Sequence, residues 1–284
     1  MHKNYKKGFL GFLRQWYIFI ILAALYIPLI LIVLLSFTGQ TSRGNIIYNN
    51  FAFKGFNNYW LLFENDEFDS ALLHTIILGI TVTPISVLIA TITCFGIWKS
   101  KTAVKRTTMA TSQFAIINPD SITGVSLALL FTSTWVALGF NFGFFTVLMS
   151  HVSFCVPYAI IAIYPRMAKM NPNLINASYD LGHTKLSTFM KVTVPYLMPA
   201  LLSAAAIAFA MSFDDFVITN LVNGSYQTVA TLIYTSRKGI KAWIITFGAI
   251  IILLTFVIVI ITIVAKAYRI KKINKQNMMR GAQV

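Results

Sequence analysis

The sequence predicts an all-α polytopic membrane protein of about six transmembrane helices. Hydrophobic residues make up 57% of the 284 residues and charged residues only 11%, whereas a soluble domain carries about 25% charged residues. The apolar residues form long runs rather than amphipathic repeats, which is typical of membrane spans. The basic residues behind the net charge of +15 lie between these runs in small groups. This pattern is that of span flanks, so we expect no nucleic-acid partner.

The spans follow from the lengths of the apolar runs. The first run, about 16–37, covers a hydrocarbon core of ~30 Å at ~1.5 Å per residue. It is too long for the apolar region of a signal peptide and lacks a small-residue cleavage site, so we expect it to be retained. Because no internal repeat interrupts the chain, we expect a single transmembrane domain over 1–284. The other predicted spans are about 72–98, 108–133, 138–164, 196–222 and 242–267.

The loops predict the orientation. With both termini in the cytoplasm, 18 of the 23 Lys and Arg residues lie inside, as the positive-inside rule requires. The same choice places the polar loop 38–71, with its cluster of acidic residues, outside. It places the polar loop 165–195 inside, where a cytoplasmic partner could meet it.

The inside loop has the pattern of two short helices. Asn171-Pro172 is a typical helix start, because Asn caps well and Pro at the first helical position loses no hydrogen bond. Gly182 follows where a helix ends in the left-handed conformation, and Thr184 can cap a second helix with Leu186 on its apolar side. This pattern alone fits a docking unit and an ordinary connecting loop equally well.

The residues of this loop resemble a known motif. The run 176–182, Asn-Ala-Ser-Tyr-Asp-Leu-Gly, followed by Val194-Pro195, resembles the "EAA" loop of bacterial ABC importer permeases. Two positions depart from the motif, since Asn176 replaces its Glu and Ser178 its second Ala. The resemblance implies a coupling element over about 171–194 that docks into a cytoplasmic ATPase through Asn176, Ala177, Ser178, Asp180, Leu181, Gly182 and Pro195.

Other segments are similar to one subgroup, the PotC-type permeases of spermidine/putrescine importers. They include Tyr26-Ile27-Pro28, Asn118-Pro119-Asp120, His151 through Pro157, and Ser212-Phe213-Asp214-Asp215. The resemblance implies the type I ABC importer permease fold in a bacterial plasma membrane. It also implies a second permease in a heterodimer, two copies of a cytoplasmic ABC ATPase, and an extracytoplasmic polyamine-binding protein.

The chain itself is expected to be a transport subunit and not an enzyme. It contains no phosphate-binding motif of the G-x-x-x-x-G-K-[ST] type, so we expect no cofactor in this chain and Mg-ATP on the partner ATPase. Neither the cysteines, Cys94 and Cys155, nor the histidines are spaced as a metal site. Both cysteines are interpreted as small buried hydrophobes and His151 as a core histidine with satisfied hydrogen bonds.

Acidic and aromatic residues within the apolar runs are candidates for a cation path. An Asp at the centre of a span costs ~2.5–3.5 kcal/mol, and such residues usually face the protein interior or water. Asp120 could instead favour a helix start after Pro119, and Asp214 and Asp215 could pair with the other permease or end a shortened helix. Aromatic rings can attract a cation through cation–π interactions. Packing in the core or a belt of aromatic residues at the membrane interface could also explain why these rings are present. The candidate path comprises Asp120, Asp214, Asp215, Trp135, Phe216 and Tyr226.

Rival functions remain open at this point. The same importer type could carry another organic cation, a metal complex or a sugar. An ion-coupled secondary transporter or channel could use the acids as a relay without any ATPase, although it has no need of a docking loop. A membrane scaffold is disfavoured because intramembrane acids are costly to retain.

Overall fold

The computed structural model describes residues 3–47, 53–236 and 239–281. This part of the chain is helical, and its extended pairings are isolated β-bridges such as that between Gln40 and Ile46. Helices satisfy their backbone hydrogen bonds internally, as a bilayer demands. In chain order they are α1 (Lys3–Leu35), α2 (Asn57–Phe63), α3 (Asp66–Trp98), α4 (Thr102–Ile117), α5 (Asp120–Phe131), α6 (Phe144–Ala168), α7 (Asn173–Asp180), α8 (Lys185–Thr188), α9 (Val194–Asp214), α10 (Val217–Val222), α11 (Val229–Thr235) and α12 (Ala242–Gly281).

The predicted fold class is confirmed. Within the described ranges, five helical segments are long and apolar enough to cross a membrane, and a bent pair of helices brings the number to six if the pair is one span. Short π-helical turns continue α5 and connect α8 to α9. The segments are Trp16–Leu35, Asp66–Trp98, Thr102–Ile117 with Asp120–Val136, Phe144–Ala168, Lys185–Asp214 and Ala242–Tyr268.

The third segment is broken rather than straight. The axes of its two helices differ by 102°. Pro119 disfavours the helical conformation at the residue before it, and Asn118 is accordingly extended with ψ 130°. The helix start after Pro119 that the sequence allowed for Asp120 is therefore confirmed, and the third span predicted over 108–133 consists of two helices that meet at this break.

Two predicted span boundaries also need correction. The fourth span begins at Phe144 and not at 138, because Gly139 has the left-handed φ of +87° that ends the preceding helical turn. The fifth span ends at Asp214 and not at 222, because Asp215 is extended with ψ 122° and a separate short helix follows. Each correction arises from one residue that leaves the helical region of backbone conformation.

The described residues form two compact units: one comprises those up to residue 66 together with those from residue 236 onward, and the other comprises residues 67–235. In the first unit α1 packs along α12, with the rings of Tyr26 and Phe256 6.4 Å apart. Its small core consists of Ile46, Ala242 and Ile245. A bilayer that surrounds such a helix pair covers the remaining apolar surface.

The second unit has two hydrophobic clusters, and in both α6 packs against α9. Small residues at this contact, such as Ala204 and Ala208 on α9, are buried and let the helices approach closely. Cys155 on α6 is also buried, with its Sγ 3.6 Å from the carbonyl oxygen of Ala208. Cys94 is buried in the other cluster, so the interpretation of both cysteines as small core residues is confirmed.

Candidate functional site

An open cavity of about 460 Å³ lies where α5 begins, α9 ends and α10 begins. Its size falls within the ~300–1,000 Å³ of small-molecule sites. The three acids predicted for a cation path, Asp120, Asp214 and Asp215, all line it. The rest of the lining is apolar and consists of Phe154, Ala210, Met211, Phe216, Val217 and Ile218.

Asp120 is the first residue of α5 and is exposed. It follows the break at Pro119, so the start of α5 is open to the cavity. The positive end of the helix dipole favours a carboxylate there. Its side chain makes no hydrogen bond to another described residue, so this carboxylate is available to a ligand in the cavity.

Asp214 is the last residue of α9 and is also exposed. The negative end of a helix dipole disfavours an anion at this position by ~0.3–1 kcal/mol. Among the described residues, no donor or cation pairs with its side chain. The position of Asp214 is therefore not explained by stabilisation of its own helix.

Asp215 differs from its neighbour because its carboxylate is used within the fold. Its Oδ2 accepts hydrogen bonds from the backbone nitrogen of Thr219 at 2.8 Å and from the Thr219 hydroxyl at 2.7 Å. Its Oδ1 accepts from the nitrogen of Ile218 at 3.3 Å, and only 9% of the side chain is exposed. Asp215 thus caps α10, and the predicted alternative of a polar end to a shortened helix describes its place directly after α9.

A buried histidine on α6 supports this cap. The Nε2 of His151 lies 2.8 Å from the Thr219 hydroxyl and 3.5 Å from Oδ2 of Asp215, and Nδ1 lies 2.9 Å from the Ser212 hydroxyl. Because Thr219 gives its proton to Asp215, it can only accept from Nε2–H, which leaves Nδ1 to accept from Ser212 in the neutral ring. This network joins α6, α9 and α10, and it confirms His151 as a satisfied core histidine.

The aromatic candidates do not share one location. Phe216 lines the cavity and stacks on Tyr234 with ring centroids 4.7 Å apart. Trp135 does not line the cavity and packs on Phe140 at 4.9 Å. Its location follows from the turn at Gly139, which folds the chain back on the end of the α5 segment.

Tyr226 also lies away from the cavity lining. Its ring stacks on His74 at 4.2 Å, and its hydroxyl donates to the His74 carbonyl oxygen at 2.7 Å. Burial raises the pKa of Tyr226 to about 12, so the hydroxyl keeps the proton that it donates. This contact fixes the connection between α10 and α11 on α3, which is a structural role.

Phe154 and Met211 are among the lining residues that were not predicted from the sequence. Phe154 lies three positions after His151 on α6, with ring centroids 5.0 Å apart, and Met211 lies three positions before Asp214 on α9. Residues three apart on a helix share a face. Helical spacing from the candidate residues would therefore have identified both.

The predicted two-helix loop is confirmed as α7 and α8. Gly182 has a φ of +80°, its nitrogen donates to the Tyr179 carbonyl at 2.8 Å, and the His183 nitrogen donates to the Ser178 carbonyl at 3.1 Å. This pair of bonds is the Schellman motif. Thr184 caps α8 by accepting from the Ser187 nitrogen at 3.3 Å. We call the segment from Asn171 to Val194 the α7–α8 unit.

The candidate coupling residues divide into exposed and buried ones. Ser178 is buried, and its hydroxyl lies 2.9 Å from that of Thr188, which ties α7 to α8. Leu181 is 81% exposed, although a leucine side chain gains from burial. The other exposed members are Asn176, Ala177, Asp180, Gly182 and Pro195.

Comparison with known proteins identifies the family. No family model matches the chain. The chain is 44% identical to a PotC homolog from Mycoplasma genitalium, a spermidine/putrescine transport system permease protein, over 94% of this chain and 95% of that protein. The homolog from Mycoplasma pneumoniae is 43% identical over 91% and 92% of the two chains. This chain belongs to the PotC family of transport permeases. PotC from Escherichia coli K12 is a more distant member, at 29% identity over 87% and 91%.

Two solved structures have a fold similar to that of this PotC-family chain. A chain of a bacterial ABC transporter involved in alginate import matches with a TM-score of 0.68 at 14% identity, over 94% of this chain and 99% of that chain. A chain of the MetNI methionine ABC transporter matches with a TM-score of 0.52 at 19% identity, over 74% and 96%. At such low identity these matches show only the fold of an ABC importer permease.

Proposed function

We propose that this PotC-family permease moves polyamines such as spermidine and putrescine across the bacterial plasma membrane, driven by ATP hydrolysis in partner subunits. The observation that carries the proposal is the cavity at the α9–α10 break, where two exposed carboxylates face an apolar lining. The names of its relatives supply the cargo class.

The chemistry of the cavity suits a protonated polyamine. Asp120 and Asp214 offer negative charge to ammonium groups, and neither is engaged by another described side chain. Met211 and Val217 supply apolar surface for the methylene chain between those groups. Phe216, also in the lining, can add about 0.5–1 kcal/mol of cation–π attraction at a partly exposed position.

Asp215 has a different role in this proposal. Its oxygens already accept three hydrogen bonds, so it defines the shape of the cavity floor more than it attracts cargo. A charge that is satisfied by fixed donors has less to gain from a passing ammonium group. Cargo contact therefore falls mainly to Asp120 and Asp214.

The partners follow from the family. The chain would form a heterodimer with a second permease, bind two copies of a cytoplasmic ABC ATPase that holds Mg-ATP, and receive cargo from an extracytoplasmic binding protein. The α7–α8 unit would dock into the ATPase, with Leu181 and Leu186 as its exposed apolar contacts. Asn176 would make this contact without the charge of the motif Glu.

The proposed orientation places both termini in the cytoplasm. This orientation rests on the distribution of Lys and Arg, which favours the cytoplasmic side for the loops next to α7 and α8. The α7–α8 unit then faces the compartment that contains ATP, and the loop after α1 faces outward. Surface labelling of single cysteines introduced near each terminus would test this orientation directly.

The test of the function is uptake of labelled spermidine into vesicles that contain the reconstituted complex. Uptake is measured with ATP, with a non-hydrolysable nucleotide, and with an ion gradient alone. Asp214→Asn is compared with Glu64→Gln, which removes the charge of an exposed acid that does not line the cavity. We expect ATP-dependent uptake that Asp214→Asn weakens and Glu64→Gln does not.

The other outcomes distinguish the rival functions. ATP-dependent import of another solute without a response to spermidine would keep the importer and reject the cargo. Uptake driven by an ion gradient in the absence of nucleotide would reject the importer and favour a secondary transporter. Equal transport by both variants and the wild type would remove Asp214 from the path.

A further inference from the structure

The short helix α2 in the first unit has one buried face. Asn58 and Leu62, four positions apart, are both buried. The Nδ2 of Asn58 donates to the carbonyl oxygens of Ser36 at 2.9 Å and of Thr38 at 2.6 Å. The two carbonyl groups lie just beyond the end of α1, so these hydrogen bonds hold α2 next to that end of the helix.

The opposite face of α2 is aromatic and exposed. Phe56, which precedes the helix, and Trp60 and Phe63 within it are spaced by four and three positions, which places them within about 60° of one another. They are 64%, 74% and 60% exposed. Such side chains each carry a large apolar surface, and the described chain leaves most of this surface exposed.

The length of α1 determines where this face lies relative to a membrane. Its apolar segment Trp16–Leu35 has 20 residues, which span ~30 Å and so match the hydrocarbon thickness. The residues that follow are therefore at the boundary between hydrocarbon and headgroups. The Ser36 hydroxyl lies 2.8 Å from the Tyr59 hydroxyl, and the Phe37 ring packs against Phe56 at 5.5 Å. Both contacts hold α2 at this boundary.

We propose that α2 lies in the membrane interface at this end of α1, with Phe56, Trp60 and Phe63 inserted among the lipid headgroups. Trp and Tyr are enriched at this depth because an apolar ring with a polar atom suits it. The last turns of α1 also expose apolar side chains, with Leu31 and Leu34 about half exposed, as a helix that faces lipid does. The position of α2 at the end of this helix, at the depth where aromatic side chains collect, favours lipid over a protein as the occupant.

Depth-dependent fluorescence quenching tests the proposal. The full-length protein in its complex is placed in nanodiscs of phosphatidylcholine and phosphatidylglycerol that contain a nitroxide either near the headgroup or near the acyl-chain end. The contribution of Trp60 is obtained as the difference between the wild type and Trp60→Phe, a conservative change at an exposed position. Iodide in the aqueous phase serves as the quencher of water-exposed tryptophan.

We expect the shallow nitroxide to quench the Trp60 signal at least twofold more than the deep one, with little quenching by iodide. Strong iodide quenching without lipid quenching would overturn the proposal, because the face would then be in water. Absence of quenching by all three reagents would also overturn it, since the face would then be covered by protein. Shielding that appears only when the extracytoplasmic binding protein is added would identify a docking surface instead.

Discussion

The adjacent carboxylates of Asp214 and Asp215, at the end of α9, should differ in how much their substitution lowers stability. Asp215→Ala removes the acceptor of three hydrogen bonds at the start of α10. Loss of a helix cap costs about 1 kcal/mol. Loss of the acceptor for the buried Thr219 hydroxyl, with the His151 contact, costs about a further 1–3 kcal/mol. The expected loss of stability is therefore about 2–4 kcal/mol.

Asp214→Ala should have almost no effect on stability. The side chain is exposed and makes no described hydrogen bond, and substitutions at such positions change stability by less than about 0.5 kcal/mol. At ~2–4 °C per kcal/mol, Asp215→Ala should lower Tm by about 4–16 °C and Asp214→Ala by less than about 2 °C. Thermal unfolding of the purified protein in nanodiscs, followed by intrinsic fluorescence, measures both values.

In transport kinetics, substitution of Asp214 should weaken cargo affinity more than substitution of Asp215, which is the reverse of the order expected for stability. A partly exposed ion pair with an ammonium group is worth about 1 kcal/mol, so Asp214→Asn should raise KM for spermidine roughly fivefold. For Asp215→Ala the main effect should be less folded protein and a lower maximal rate. Equal Tm losses in the two Ala variants would refute this division of roles, as would a Tm of Asp215→Ala within about 2 °C of the wild type.

Further substitutions test the backbone, the network and the docking surface. Gly224→Ala should lower stability by more than about 2 kcal/mol, because φ is +56° and the new Cβ would lie 2.3 Å from the Phe142 carbonyl oxygen. Gly182→Ala, with φ +80° and open space, should lose only about 1–2 kcal/mol, and an equal Tm loss in both would contradict the steric argument. His151→Phe keeps a ring but removes both hydrogen bonds, and should cost about 1–3 kcal/mol; an unchanged unfolding curve would show that the network is dispensable. Leu181→Glu should abolish co-purification of the ATPase while Leu181→Met preserves it, and retention by both would exclude Leu181 from the docking surface.

Local sequence patterns were sufficient where the cause of a structure lies within a few residues. Pro119 breaks the third segment because of its clash with the preceding residue. Gly182 ends α7 and Thr184 begins α8 for equally local reasons. Run length and composition identified the apolar segments, because the thickness of a bilayer is a fixed external constraint.

The assembly of the cavity could not be predicted in this way. Asp120 meets the end of α9 because α5 packs closely on α10, and Gly124 permits the approach, since a Cβ there would come within 2.7 Å of the Leu221 side chain. No local signal marks that contact. Tyr226 illustrates the same limit, because the ring and the carbonyl oxygen that it contacts both belong to His74, which is distant in the sequence.

The different roles of Asp214 and Asp215 could also be distinguished only from the structure. The sequence presents them as a pair of equivalent charges, and only the extended backbone at Asp215 separates a helix cap from a surface carboxylate. The departure at Ser178 is similar. The sequence identifies Ser178 only as a departure from the motif, whereas the structure shows the buried contact with Thr188 that joins α7 to α8.

A transport path needs charges that attract cargo without retaining it. In the proposed path, the exposed carboxylates of Asp120 and Asp214 would meet this need, because water moderates their attraction for an ammonium group. A carboxylate with fixed donors, as at Asp215, instead keeps the surrounding backbone in place. The α7–α8 unit repeats this division, since buried Ser178 fixes the two helices and exposed Leu181 is free to contact a partner. In both regions the contact residue lies within a few positions of the residue that fixes the local backbone, so a movement of that backbone would move the contact residue with it.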